Sequence, residues 1–596
     1  MRRWGLWVGG IVLLGALLSA AGWHDLTTAR AQLNEARLGF AAVVNNPASL
    51  RSPDGRAGAL RTVDDALGSV RRARGNVRGS TPLRLAGWLP GLHRQRAGVL
   101  DLVDDAESGA VASRQLLVDV DGLAGSTVLT DGALPLDGLE RLERALRDAG
   151  GRLEHLSRTP RGLWPSVAFA RRQLNDVAST TSTRLINAAD GLAAARTFVG
   201  AAGPRRYFVA VQNNAEMRDQ GMVLSYAVVS FRDGRMTVEH TGPIAELALS
   251  KPADIGIPPG TLAAFRSLEP TRQWQSVNAT ADFGWSAKAM TVMYRQATGQ
   301  DVDGVIALDV PGLAALLRVV GPIDVAGAAE PVTADNASRI LLHDFYDLVP
   351  RGDQTLRKER LAEFAAAVVA RLSTGSHDAV ALGREIGAAA GGGHFRLFST
   401  DAREERVFER TGLGGGPADT ASDRTFHISV QNGTATKLDY FVRQHVRMDV
   451  YLSERGTAVV RTALTVHNTA PSNGKPSYQL GPDGFKQKRP GEYVARVYYW
   501  GPQGGRQVNS LPEAGLLLDA RGLVVEPGAA RLLEFETAIP DAVRSGRLDL
   551  RLVPQASLVP ADLDVRLHAP GWHVAGEAHR TLAWDRTTTM SWDVAR

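Results

Sequence analysis

The chain has 596 residues, a formal net charge of only +5 and no cysteine. A length of this order holds several domains, and mild charge without a Lys/Arg block gives nucleic-acid binding no electrostatic footing. Without cysteine there is no disulfide, no Cys-ligated zinc, no iron–sulfur cluster and no thiol nucleophile, so stability has to come from core burial.

Trp4 to Trp23 contains no charged residue, and Val8 to Leu18 is strongly apolar. Twenty helical residues at about 1.5 Å rise give roughly 30 Å, the thickness of a bilayer's hydrocarbon core. Trp4, Trp7 and Trp23 sit at interfacial depth, and Arg2 and Arg3 precede the segment. The positive-inside bias keeps those arginines cytoplasmic. The expectation is a cytoplasmic stub over 1–3 and a transmembrane helix over 4–23. The bulk of the chain then lies outside a plasma membrane it crosses once. The competing reading is a cleaved signal peptide ending near Ser19-Ala20-Ala21.

Residues 24–200 read as a helical bundle or stalk. Leu139, Leu142, Leu146 and Leu153 share one face, and Asp137 with Glu140 predicts a capping box. A longer helix is predicted from Pro165 to Phe198. Residues 201–411 read as an α/β domain. Tyr207 to Val211 and Gly304 to Leu308 are short apolar runs suited to buried strands. Arg232-Asp233-Gly234-Arg235 is a tight hairpin signal, and Pro311 opens a helix to Val320. A Gly/Pro break makes 412–423 a linker. Beyond it the period is two: Val446, Met448, Val450 and Leu452 alternate with polar or exposed-type residues, as do Leu548, Leu550 and Leu552. Residues 424–596 therefore predict an antiparallel β-sandwich. The fold class expected is multidomain α+β.

No nucleophile elbow, Walker loop or zinc-helix motif occurs. His568 and His573 lie on strand and turn sequence and read as surface residues. Carboxylate pairs for glycoside hydrolysis leave no spacing rule and stay open. Two polar clusters stand out. Gln212 to Gly221 follows the first α/β strand, at the strand end where ligand groups gather in such sheets. The bland alternative is a polar turn. In Arg351 to Arg360, Arg357 and Arg360 share a helical face near a helix start, where a bound anion would be favoured. The alternative there is a solvated face paired with Glu359 and Glu363.

Tyr207 to Arg218, with its Gln-Asn-Asn-x-Glu-x-Arg element, Val302 to Asp309 and Gly321-Pro322-Ile323-Asp324-Val325 resemble the domain of unknown function family 4012. The likeness extends through Asn432 to Val446 and into the β-rich tail. That family consists of bacterial, mostly actinobacterial, membrane-anchored proteins. More distantly, the α/β part resembles the LytR-CpsA-Psr phosphotransferases, which move glycopolymers from a polyprenyl-pyrophosphate carrier onto the cell wall. Glu216-Met217-Arg218 takes the place of their Asp-x-Arg element, and Asp353 to Arg360 resembles their arginine helix. The pattern departs at Gly221 to Ser225 and at Gly242 to Glu246, where those enzymes carry a second acid and a further arginine.

The resemblance implies two readings. In one, the chain is a non-catalytic envelope protein that binds a polyprenyl phosphate or cell-wall glycopolymer, or scaffolds assembly beside membrane lipid. In the other, it is a phosphotransferase. An anion site would then hold pyrophosphate with Arg218, Arg357, Arg360 and Asn214. Glu216 and Asp282 would hold a divalent cation, magnesium, if that site is active.

Overall fold

The computed structural model describes residues 20–45, 53–81, 84, 92–123, 128–130, 132–155, 162–347, 363–365, 367–368, 370–372, 376–419, 421–484 and 486–596. The chain is mixed α+β and forms two compact units. One comprises residues 1–127 and 135–196; the other comprises 128–134 and 197–596.

The first unit is helical: α1 (Ala20–Asn45), α2 (Pro53–Gly79), α3 (Leu92–Leu123), α4 (Leu136–Glu154) and most of α5 (Pro165–Phe198). Small residues line the seams. Ala29, Ala73 and Val77 are buried together, and Ala36, Ala66 and Val70 form a second cluster. Gly39 abuts Ala66 closely, which lets α1 and α2 approach. The capping box expected at α4 does not form, because Pro135 precedes the helix and no side chain caps it. Glu140 and Glu143 instead accept from Arg196 at 2.8 and 2.9 Å. The predicted anchor falls largely on residues outside those described. Among the described residues, no helix is long and apolar enough to cross a membrane.

The second unit begins with a short strand, β1 (Val128–Thr130). Its α/β part is built on β2 (Arg205–Met217), β3 (Gly221–Arg232), β4 (Arg235–Pro243), β5 (Gly304–Leu308), β6 (Ser376–Asp378) and β7 (Phe395–Ser399). β1 pairs with β6, and the main sheet runs β4-β3-β2-β5-β7. Only β2 and β5 run parallel there. The β3–β4 hairpin turns on Asp233 and Gly234, both with positive φ, as the sequence predicts. One face of the sheet buries Phe208, Val228, Trp274, Met290 and Val305 under α6 (Phe283–Thr298). Beyond the end of β5, α7 (Val310–Val320) contributes Leu313 and Leu317 to a separate core. α8 (Ala379–Gly391) precedes β7.

α9 (Ala402–Thr411) ends in Gly412, whose φ of 77° gives a left-handed cap. The glycines that follow are tied down: Leu397 N–H donates to Leu413 O, and Gly414 N–H to Phe408 O. The C-terminal part starts with β8 (Thr425–Asn432) and β9 (Val442–Leu452) and consists of a six-stranded and an eight-stranded sheet. Val446, Met448 and Val450 face Leu548, Leu550 and Leu552 in one core, so the period of two places the apolar side chains as expected. The sheets are not wholly antiparallel. β8 runs parallel to the strand Arg547–Val553, and β9 parallel to Ala561–His568.

Candidate functional site

β2 changes character halfway along. From Tyr207 to Val211 it is hydrogen-bonded on both sides, to β3 and to β5. β5 ends at Leu308, and the β3 register shifts after Val211 and again after Asn213. The polar stretch is therefore a buried, irregular continuation of the strand, neither an open ligand loop nor a surface turn. Gln212, Asn213, Asn214, Glu216, Arg218, Asp219 and Gln220 are all less than a tenth exposed. Burying so many polar groups is tolerable only if each finds a partner. Gln212 donates to Gln220 and Asn213 accepts from Ala215 N–H locally, and most of the other partners come from residues far along the chain.

Asn214 is fully buried. Its Nδ2 donates to Asp309 Oδ2 at 2.7 Å and to Ala556 O at 2.9 Å, while its Oδ1 accepts from Val310 N–H. Asp309 in turn caps α7 by accepting from Gly312 N–H, and its other oxygen meets His394 Nδ1 at 2.7 Å. Asn213 donates to the Tyr346 hydroxyl, and Gln220 to Gly393 O. Gly221 allows the tight return into β3: a Cβ there would lie 2.8 Å from the Asn213 backbone.

Arg218 does not open onto a cleft. Its guanidinium donates to Asn432 O at 2.8 Å and to Met217 O and Ser276 Oγ at longer range. Its backbone carbonyl accepts from Gln555 Nε2 at 2.8 Å, and Gln555 also bonds both backbone groups of Val430. Asp219 Oδ1 lies 2.7 Å from His427 Nε2 on β8. Glu216 is ion-paired with Lys437. Asp439 accepts from Met217 N–H at 3.0 Å, Asn432 Nδ2 at 2.7 Å and the Tyr493 hydroxyl at 2.6 Å. Burial pushes the Asp439 carboxyl up to about 6 against those three donors. Burial likewise brings the Lys437 amine down to about 7, with Asp439 opposing it.

Asp282 has a different setting. It caps α6 by accepting from Trp285 N–H at 2.9 Å. Burial raises its pKa, and Asp419 adds to the rise. Glu405 nearby is pushed up to about 7, first by burial and then by Glu409, Asp419 and Asp282. Among the described residues, no group of three or more His, Asp or Glu side chains is arranged to hold a metal ion. Arg357 and Arg360 lie outside the described residues. Of the expected site residues, Asn214, Glu216 and Arg218 therefore occupy one buried network, and Asp282 caps a helix beside an acidic cluster.

The residues that complete the network, His427, Asn432, Lys437, Asp439 and Gln555, were not singled out by chemistry in the sequence. For Asn432, Lys437 and Asp439 the available signal was the family likeness running from Asn432 to Val446. Chemically, the arrangement fastens the end of β2 to the C-terminal sheets.

No curated protein and no solved structure is similar enough to match the chain. Residues 202–346, which hold β2 to β5 and the polar half of the network, match the model of a family described as protein of unknown function (DUF4012).

Proposed function

We propose that the chain is a membrane-tethered, extracytoplasmic envelope protein that works as a non-catalytic scaffold, with its C-terminal sheets engaging cell-wall glycopolymer. The observation that carries the non-catalytic part is the setting of Arg218. Its guanidinium is buried and hydrogen-bonded to Asn432 O, where a transferase would need it exposed to pyrophosphate. Glu216 is similarly engaged with Lys437 rather than left open to a cation. The likeness to LytR-CpsA-Psr enzymes supports a place in envelope chemistry, and a fold of that kind can persist without its activity. The apolar segment from Trp4 to Trp23 supports the tether.

The test uses detergent-solubilised full-length chain. Short-chain polyprenyl pyrophosphate with magnesium should be neither hydrolysed nor transferred, and the chain should co-sediment with purified wall glycopolymer. Turnover that disappears in Arg218→Lys would overturn the scaffold reading and restore the phosphotransferase alternative, with Arg357 and Arg360 as its further anion ligands. Protease added to spheroplasts should digest the body of the chain; protection by an intact membrane would overturn the topology.

A further inference from the structure

Lysine is almost never fully buried unless paired. The Lys437 side chain is only 1% exposed, and its Nζ touches Glu216 Oε1, on a side chain 7% exposed. The rings of Tyr346 and Tyr478 wall the amine, with centroids 5.5 and 5.4 Å from Nζ. A second acid stands beside the pair. Asp439 accepts from the N–H of Met217, the residue after Glu216, and lies two residues after Lys437 in the chain. Arg218 and Tyr493 are the other ionisable groups facing Asp439. An amine and a carboxyl in contact, with a second carboxyl acting on the amine electrostatically, are thus enclosed together away from water.

We infer that Lys437 and Glu216 condense into an intramolecular amide, a covalent lock between the end of β2 and the segment leading into β9. The chain makes this bond itself. Neutral Lys437 Nζ attacks Cδ of the protonated Glu216 carboxyl, and a tetrahedral intermediate forms. Within that intermediate Nζ gives up one proton and the departing hydroxyl takes one up, and the negative Asp439 carboxyl favours the transient ammonium electrostatically. One N–C bond forms, one C–O bond breaks and one water leaves; nothing is oxidised or reduced.

Three physical effects favour the step. Fixed contact between amine and carboxyl replaces a bimolecular encounter, worth effective molarities of roughly 10⁵–10⁸ M in well-oriented cases. Burial favours the uncharged amine, the form that acts as a nucleophile. The product also replaces the buried ion pair by a neutral amide, removing the cost of holding two charges away from water. Exclusion of water disfavours the reverse hydrolysis. This inference does not depend on the scaffold reading, since a transferase would carry the same lock.

The test is mass spectrometry of denatured full-length chain after incubation near neutral pH. Trypsin should leave a branched peptide in which residues 207–218 are joined to residues 425–443, one water lighter than their sum, with cleavage after Lys437 blocked. The peptide readout is independent of any processing at the N-terminus. Lys437→Arg should give only the unbranched peptides. Asp439→Asn keeps both reacting groups and should slow the loss of water. Ordinary cleavage after Lys437 in the unmodified chain, with the 207–218 peptide at its full sequence mass, would overturn the inference even if neither variant folds.

Discussion

In the helical unit, Arg114 meets Asp64 at 2.5 Å with both side chains more than two-fifths exposed, and Arg71 meets Glu107 from a largely solvated position. At the end of β2, Glu216, Arg218, Lys437 and Asp439 carry the same kinds of charge, yet every one is less than a tenth exposed. The first set can be hydrated whether or not the chain is folded, so pairing changes little. The second set has left water and depends on its protein partners for compensation. The same kinds of charge therefore report surface decoration in one region and a structural joint in the other. The difference lies in which distant segment covers them.

The sharpest way to break this comparison is to remove one charge from the joint. Arg218→Ala should cost about 3–5 kcal/mol in urea unfolding, because Asn432 O loses its donor and the Asp439 carboxyl its nearby cation. A loss below about 1 kcal/mol would show that Arg218 is as dispensable as a surface arginine. Asn214→Ala should cost less, roughly 2–3 kcal/mol, since it leaves Val310 N–H, Ala556 O and Asp309 short of partners but strands no new charge. Cooperative loss of α7 by hydrogen exchange would accompany it.

A smaller effect belongs to Glu405. Its folded-state pKa, about 7, lies above the ordinary glutamate value. Stability from the bound proton is therefore complete below the ordinary value and is lost as pH rises through about 7. Glu405→Gln mimics the protonated form. It should stabilise the protein at alkaline pH by on the order of 1–2 kcal/mol and change little in mild acid. Equal effects at both pH values would contradict this. The smallest change is expected from Arg114→Ala, about 0.5 kcal/mol or less, further reduced by salt.

Legibility in the sequence followed the same division. Apolar alternation placed β9 and Arg547–Val553, because a strand buried on one face writes its period directly into the chain, and the continuous apolar run Tyr207 to Val211 marked the half of β2 that is buried on both faces. The Asp233-Gly234 turn was legible for a similar local reason: positive φ selects its residues. The polar half of β2 reads locally as a strand-end cluster or polar turn, since Gln, Asn and Asp favour turns, yet it is a buried continuation of the strand. Its burial is decided by Asn432, Asp439 and Gln555, more than 200 residues away. No periodicity carries that information. The capping box at Asp137 failed on a local competitor, because Pro135 sets the start of α4. The resemblance marked Glu216 and Arg218 as unusual, but it could not say whether they face a ligand or another part of the chain.

Hydrogen exchange over residues 212–220 tests the central claim most directly, using the full-length chain without ligand. Met217 N–H donates to Asp439, Arg218 N–H to Gln220 O and Asp219 N–H to Asn278 O. In a buried joint these amides exchange only with global unfolding, at the same rate as those of β8, and polyprenyl pyrophosphate with magnesium does not alter them. Rapid exchange in the free protein, with protection appearing only when the pyrophosphate is added, would contradict the joint and identify an anion-binding loop.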